Sequence, residues 1–524
     1  MNDLATKVAG LWPEIALGLA ACACLMMGMA PQVAVRRLTV WVAAAGLVIA
    51  GLLVGGGEPS ITAYIKLAVV AVGLLLLMVA SAVPGQLQQS RDAERARRFE
   101  PGDVVRGEFF AFFLLSLTGV MLTAGSSDLV WLFLALELTS LPTYVMVAIS
   151  RDRIEAQESA VKYFFLGAMA AAVFLYGFAL MYGATGSTVL ADIHAWAINL
   201  RSAGQPLPPL FVLGLILAVV GICFKIAAAP MHFYAADVYE GASVGVTAFL
   251  AFVPKTAGFV ALIVLLAPVG WPLPPEVAGL IALIAAVTMT LGNVMGLVQT
   301  SVKRVLAYSS IAHSGYMLVG LLAGPHAASD RGATLDTVTV LGNGVAGVLF
   351  YLVAYGLATI ASFAVLGCMA AKDGDEAVTF RDLAGLSRRH PSLAAIMALS
   401  VLSLIGMPPL VGFLGKLYLF GPAVSAGYVW LVIVAVLNSA VSAVYYLRIA
   451  KACYFDESAH GQTAVLQLTS PARYIAAGLA AAAALVLGVA GQRLADGAFK
   501  ATAQLPRTVV TADDPAATTA ATNR

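Results

Sequence analysis

Glu137 in LFLALELTSLP, Lys225 in GICFKIAAAPMHFY, Lys255 in AFVPKTAGFVAL and Lys416 in SLIGMPPLVGFLGKLY are ionisable side chains set deep inside apolar runs. What a carboxyl and three amines have in common is the ability to take up a proton and release it. Arginine, charged at every relevant pH, could not replace the lysines in that role. His313 in VLAYSSIAHSGYMLVG adds an imidazole, and His232 and Lys162 lie close by in sequence. Joined by water, such groups can relay protons through a low-dielectric interior.

The elements that must hold them are membrane helices. The chain has 524 residues, of which 60% are hydrophobic and 11% charged. Its mean hydropathy is +0.90. Soluble domains run near 45–50% apolar and about 25% charged, so a soluble reading is excluded. At about 30 residues per span and connection, the length allows roughly 14 to 17 spans and little else. A net charge of +2 points to neither a nucleic-acid binder nor an acidic tail.

Apolar runs predict an all-α polytopic membrane protein of about fourteen transmembrane helices. The first seven fall near 10–30, 38–56, 64–84, 108–126, 129–149, 160–183 and 209–233. The second seven fall near 243–267, 275–299, 304–324, 339–370, 393–421, 426–453 and 472–492. Positive loops follow odd-numbered helices: Arg36 and Arg37, then Arg91 to Arg106, Arg151 and Arg153, Lys303 and Arg304, Lys372 to Arg389, and Lys451. Positively charged short loops stay cytoplasmic, so both termini are expected on the periplasmic side. The N-terminus lacks a signal-peptide layout, and residues 500–524 read as a disordered tail.

At 1.5 Å per residue, Glu137 stands about 13 Å into its helix, near the midplane. Pro230 follows Lys225, Pro254 precedes Lys255, and Pro408 and Pro409 precede Lys416. A proline inside a span removes a ladder donor, and unwound chain at that depth needs polar neighbours or water. Two broken helices, the seventh and twelfth, predict a repeat of five helices, 4 to 8 and 9 to 13. An odd helix number inverts the second copy, as in secondary transporters. The domains are then 1–107, with three helices and a basic loop, 108–267 and 275–453 as the two repeats, 472–492 as a last helix, and the tail.

Plainer roles exist for each residue. Glu137 could be a neutral carboxyl tying two helices, and Lys255 and Lys416 could snorkel to an interface. His313 could be a helix-contact histidine, and Glu14 and Lys66, near helix ends, favour an interfacial role. One acid, three lysines and a histidine spread over helices 5, 7, 8, 10 and 12 favour a pathway instead. Cys22, Cys24, Cys223, Cys368 and Cys453 form no CxxC pair, and no GxGxxG follows a strand. Neither zinc nor iron–sulfur ligation is expected in this chain.

From about Glu108 to Tyr446 the sequence resembles the antiporter-like subunits of respiratory complex I, NADH-quinone oxidoreductase. The resemblance rests on DLVWLFLALELTSLPTYV, ESAVKYFFLGA, FKIAAAPMHFYAADVYEGASVGVTAFLAFVPKTAGF, SVKRVLAYSSIAHSGYMLVG and LSLIGMPPLVGFLGKLYLF. The DVYEGA wording favours the subunit N branch over its sister branches M and L. The long basic loop from Arg91 to Gly107 and the PMHFYAAD wording are departures.

The resemblance implies that Glu137 and Lys225 form a switching pair, with Lys162 a second partner of the carboxylate. It implies Lys255 as central relay, Lys416 as exit-side lysine, His232 in the hydrated break and His313 on the axis between the halves. It implies proton translocation driven by quinone reduction elsewhere, in a bacterial inner membrane. NADH, FMN, iron–sulfur clusters and quinone would sit on partner subunits, with subunits M and K as neighbours. A cation/proton antiporter subunit of the Mrp type shares the same helices and lysines and is the competing expectation. A non-conducting structural spacer is a third.

Overall fold

Hydrocarbon offers the backbone no hydrogen-bond partners, so an apolar chain of this length must satisfy its amides internally, as helices. The computed structural model describes residues 10–54, 59–81, 106–151, 154–325, 342–369, 378–457, 471–503 and 505. Among them the chain is helical, and β pairing is confined to two isolated bridges, Asp128 with Val189 and Ser301 with Thr379.

In chain order the apolar helices are α1 (Trp12–Gly28), α2 (Thr39–Leu53), α3 (Ile61–Ala80), α4 (Arg106–Ala124), α5 (Leu129–Ile149) and α6 (Ile154–Thr185). A broken segment follows, α7a (Pro209–Ile222) and α7b (Tyr234–Gly241), then α8 (Val244–Leu266), α9 (Pro275–Leu297), α10 (Val302–Ala323) and α11 (Gly344–Gly367). The second broken segment is α12a (Pro391–Ile405) and α12b (Val411–Ser425), before α13 (Val429–Tyr454) and α14 (Pro471–Ala490).

Eleven helices among the described residues are long and apolar enough to cross a bilayer, rather than the fourteen expected. The difference falls on α1, with 17 residues, and on the two broken segments, whose pieces are each too short. Besides the short turns of helix Val33–Arg37, Phe380–Leu383 and Leu386–Arg389, two helices of more than ten residues were not foreseen, Leu190–Ser202 and Gln492–Thr502. The second carries Lys500 to Thr502 into the stretch expected to be tail, because Ala495, Ala498 and Ala501 give it a small buried face. The basic cluster Arg91 to Arg98, Arg331, Lys372 and residues 506–524 lie outside the described residues.

A helix apolar all round belongs in a core, and one with a single buried stripe belongs at the edge. α8, α10 and α11 are buried around nearly their whole circumference, whereas α6, α13 and α14 each present an exposed apolar face. The lysine of α8 and the histidine of α10 therefore stand in protein, away from lipid. α11 packs against α3, α8, α10, both pieces of the twelfth segment and α14, so it ties the halves together.

Helix ends at the membrane surface need partners for their unpaired groups. Asp128 caps α5 by accepting from the Trp131 amide at 2.8 Å, and Asn343 caps α11 by accepting from Ala346 at 2.8 Å. Buried Arg473 donates to the Val79 carbonyl at 2.9 Å and to the Gly367 carbonyl at 2.8 Å, serving the C-terminal ends of α3 and α11 at once. Cations are favoured there by the helix dipole. Arg473→Leu is expected to strip both contacts at a cost of about 2–4 kcal/mol. It should appear as a lower unfolding midpoint in detergent; an unchanged midpoint would refute the staple.

Glu14 and Lys66, expected at an interface, instead meet each other inside the protein at 2.8 Å, linking α1 to α3. Lys66 also donates to the Gly10 carbonyl at 2.7 Å.

Candidate functional site

The first break runs from Cys223 to Phe233, and its freed backbone groups find partners on neighbouring helices. The Ala229 amide donates to Thr288 Oγ1 at 2.9 Å, Ser314 donates to the Ile226 carbonyl, and Tyr234 donates to the Phe224 carbonyl at 2.8 Å. Ala227 takes a left-handed conformation, φ +53°. A Cβ on Gly258 of α8 would lie 2.5 Å from Ile226 Cγ2 and 3.0 Å from Lys225 Cβ, so only glycine lets α8 come this close to the break. That approach sets Lys225 and Lys255 on one shared void.

The Lys225 ammonium is 2.9 Å from Glu137 Oε1 and donates to Ser140 Oγ, one helical turn further along α5. The lysine side chain is 1% exposed and the carboxylate 18%, so the acid alone reaches the rim of this chain. Lys225 and Lys255 line one cavity, together with Tyr163, Tyr234, Tyr239, Leu250 and Pro254. It has room on the order of a single water.

Lys255 donates to the carbonyl and, at 2.7 Å, to the hydroxyl of Ser310, and its ammonium lies 4.5 Å from the Tyr355 ring centre. His313, one turn along α10, has Nδ1 at 2.6 Å from Tyr351 Oη and Nε2 at 3.0 Å from Tyr446 Oη. Tyr316 lies edge-on to the imidazole, and its own face is 5.0 Å from the Lys416 ammonium.

The second break runs from Gly406 to Leu410. Gly406, at φ +91°, ends α12a in the left-handed region, and the Met407 amide returns to the Leu402 carbonyl at 3.1 Å. Lys416 donates to the Ile405 carbonyl left free at that end, at 2.7 Å, and to Ser439 at 2.6 Å. Both broken helices thus have a lysine beside the break, paired to an acid in the first and to a carbonyl and a hydroxyl in the second.

The sequence model of the family described as NADH:quinone oxidoreductase/Mrp antiporter, TM, matches residues 126–442, the stretch that holds Glu137, Lys225, Lys255, His313 and Lys416. The chain belongs to this antiporter family. It is 43% identical over 349 residues to NADH-quinone oxidoreductase subunit N of Trichlorobacter lovleyi, covering 67% of this chain and 68% of the relative. A chain in respiratory complex I from Thermus thermophilus with bound aureothin superposes with a TM-score of 0.71 at 32% identity, covering 92% of this chain and 98% of that one. A chain of the Mrp complex from Dietzia superposes with a TM-score of 0.74 at 19% identity, over 95% of this chain and 97% of that one, and shows the shared fold alone.

In this antiporter-family chain the expected residues do not all converge. Glu137, Lys225, Lys255, His313 and Lys416 form a connected series across α5, α7a–α7b, α8, α10 and α12a–α12b. Lys162 is placed elsewhere than the expected pairing with Glu137. Its ammonium lies 2.7 Å from Glu158 and 3.2 Å from Asp237, and the side chain is about half exposed. Asp237 on α7b also meets Arg304 of α10 at 3.3 Å. His232 lies in the break, buried, with no hydrogen-bond partner for Nδ1 among the described residues. Among the described residues no three of His, Cys, Asp and Glu gather into a metal site.

Sequence reasoning missed the hydroxyl groups that touch the series, those of Ser140, Ser310, Ser439, Tyr351 and Tyr446, and the Tyr355 ring beside Lys255. Only Ser140, three residues after Glu137, had a signal in its spacing. Serine and tyrosine are ordinary in membrane helices, and which of them face the axis depends on helix rotation.

Proposed function

We propose that this chain is a proton-translocating membrane-arm subunit of an NADH:quinone oxidoreductase, without a redox centre of its own. The observation that carries the reading is the Glu137–Lys225 ion pair, 2.9 Å across, opening onto a water-sized cavity shared with Lys255. Quinone reduction on partner subunits alters the field at the pair. The pair opens, a proton passes from Lys225 across the cavity to Lys255, and from there by way of His313 to Lys416. Lys162, held by Asp237, and His232, in the break, border the entry side. NADH, FMN, iron–sulfur clusters and quinone sit on partners, with subunits of the M and K type adjacent.

The two five-helix repeats fit the matching order of elements. In each half an isolated bridge precedes the helix after the first, at Asp128 and Ser301, and a broken helix with a lysine comes later. The bacterial relatives favour an inner-membrane location, and the alternating arginines and lysines favour both termini periplasmic.

Purification from native membranes with identification of the accompanying subunits tests the reading. Quinone-site and peripheral redox subunits should accompany the chain. Recovery with other antiporter-like subunits alone, and cation-dependent growth without redox coupling, would replace it with the Mrp-type function.

A further inference from the structure

His313 is enclosed by four tyrosines, and their arrangement divides into two roles. Tyr355 and Tyr316 offer ring faces, the first to Lys255 and the second to Lys416, with His313 ring centres 5.0 Å and 5.5 Å from theirs. Tyr351 and Tyr446 offer hydroxyls, one to each imidazole nitrogen. Those two come from different helices, α11 and α13, and both are buried. Tyr446 continues to Ser309 Oγ on one side. The Tyr351 ring lies against Gly415, next to Lys416 in the chain, where a Cβ added to Gly415 would fall 2.3 Å from the ring.

A neutral imidazole has one N–H and one bare nitrogen, so two facing groups must supply one acceptor and one donor. A backbone carbonyl at either nitrogen would lock a single tautomer, because it can only accept. A tyrosine hydroxyl does either, so this pair satisfies both tautomers equally.

Building on the proton-translocation reading, we propose that Tyr351 and Tyr446 are positioning residues that let His313 transfer a proton by tautomer exchange. With the proton on Nδ1, the Tyr446 hydroxyl gives its proton to Nε2 while its oxygen receives one from the Ser309 side. The Nδ1 proton moves to the Tyr351 oxygen, which releases its own proton toward Lys416. One N–H bond forms, one breaks, both tyrosines remain hydroxyls, and the ring ends uncharged.

The test uses the assembled complex in proteoliposomes, with proton pumping measured for Tyr351→Phe, Tyr446→Phe, His313→Ala and each tyrosine change combined with His313→Ala. Phenylalanine keeps the ring and its packing and removes only the hydroxyl. Each single Phe variant should lower pumping roughly tenfold, the worth of one buried hydrogen bond. Neither should lower it further in the His313→Ala background, because groups that act as one unit are not additive. Wild-type pumping in both Phe variants overturns the clamp, as do losses that add to that of His313→Ala. Failure of both Phe variants to assemble also overturns it, by placing the hydroxyls in the fold. Lys255→Met, run alongside, separates the two claims: if it pumps normally, proton relay through this chain fails. If it alone is impaired, only the clamp fails.

Discussion

A complex carrying Lys255→Met is expected to assemble normally and to lose proton transfer through this subunit by roughly two orders of magnitude, the scale of a positioned acid–base group. Lys255 is buried on α8, bonded to Ser310, with no carboxylate among its hydrogen-bond or ion-pair partners in the described residues. Exchanging an isolated buried cation for an apolar side chain of similar length removes a desolvation cost and leaves no cavity, so the fold should not suffer. The chemistry has no substitute, because Lys255 both lines the cavity it shares with Lys225 and sets its ammonium over the Tyr355 ring. Proton uptake by native membrane vesicles, with assembly followed on native gels, checks it. Normal pumping in an assembled variant would reduce the chain to a structural spacer.

Glu137→Gln should be nearly as severe for a different reason. The amide keeps the size of the side chain and removes the charge that faces Lys225 at 2.9 Å. Breaking a buried pair by removing one partner costs about 3–5 kcal/mol, roughly a hundred- to several-thousandfold in an equilibrium. A change of that size takes the pair out of its working range, so pumping and coupled quinone reduction should fall together by at least about tenfold. Ser140 still holds the ammonium in place, and assembly should survive. Coupled quinone reduction at the wild-type rate in native membranes would eliminate the switch.

Much of the site was legible because charge in hydrocarbon is costly. A lysine such as Lys225, Lys255 or Lys416 inside an apolar run stands out against its neighbours, and a nearby proline marks a break. Lys162 shows where that logic stops. Its position early in α6 suits either Glu137 or Asp237, and the packing of α7b against α6 decides for Asp237. Glu14 and Lys66 show the same limit, since 52 residues of sequence separate two side chains that bury each other's charge.

Composition and hydropathy alone determined that the chain lives in a bilayer, as helices, with ionisable groups at depth on five of them. Those properties follow from local chemistry, because the solvent of each residue is set by its neighbours in the chain. Tertiary structure alone decided which hydroxyl meets which base. The tyrosines around His313 come from α10, α11 and α13, and their facing depends on helix rotation and on the close approach of Tyr351 to Gly415. Rotation is fixed by packing between helices distant in sequence, which no local pattern encodes.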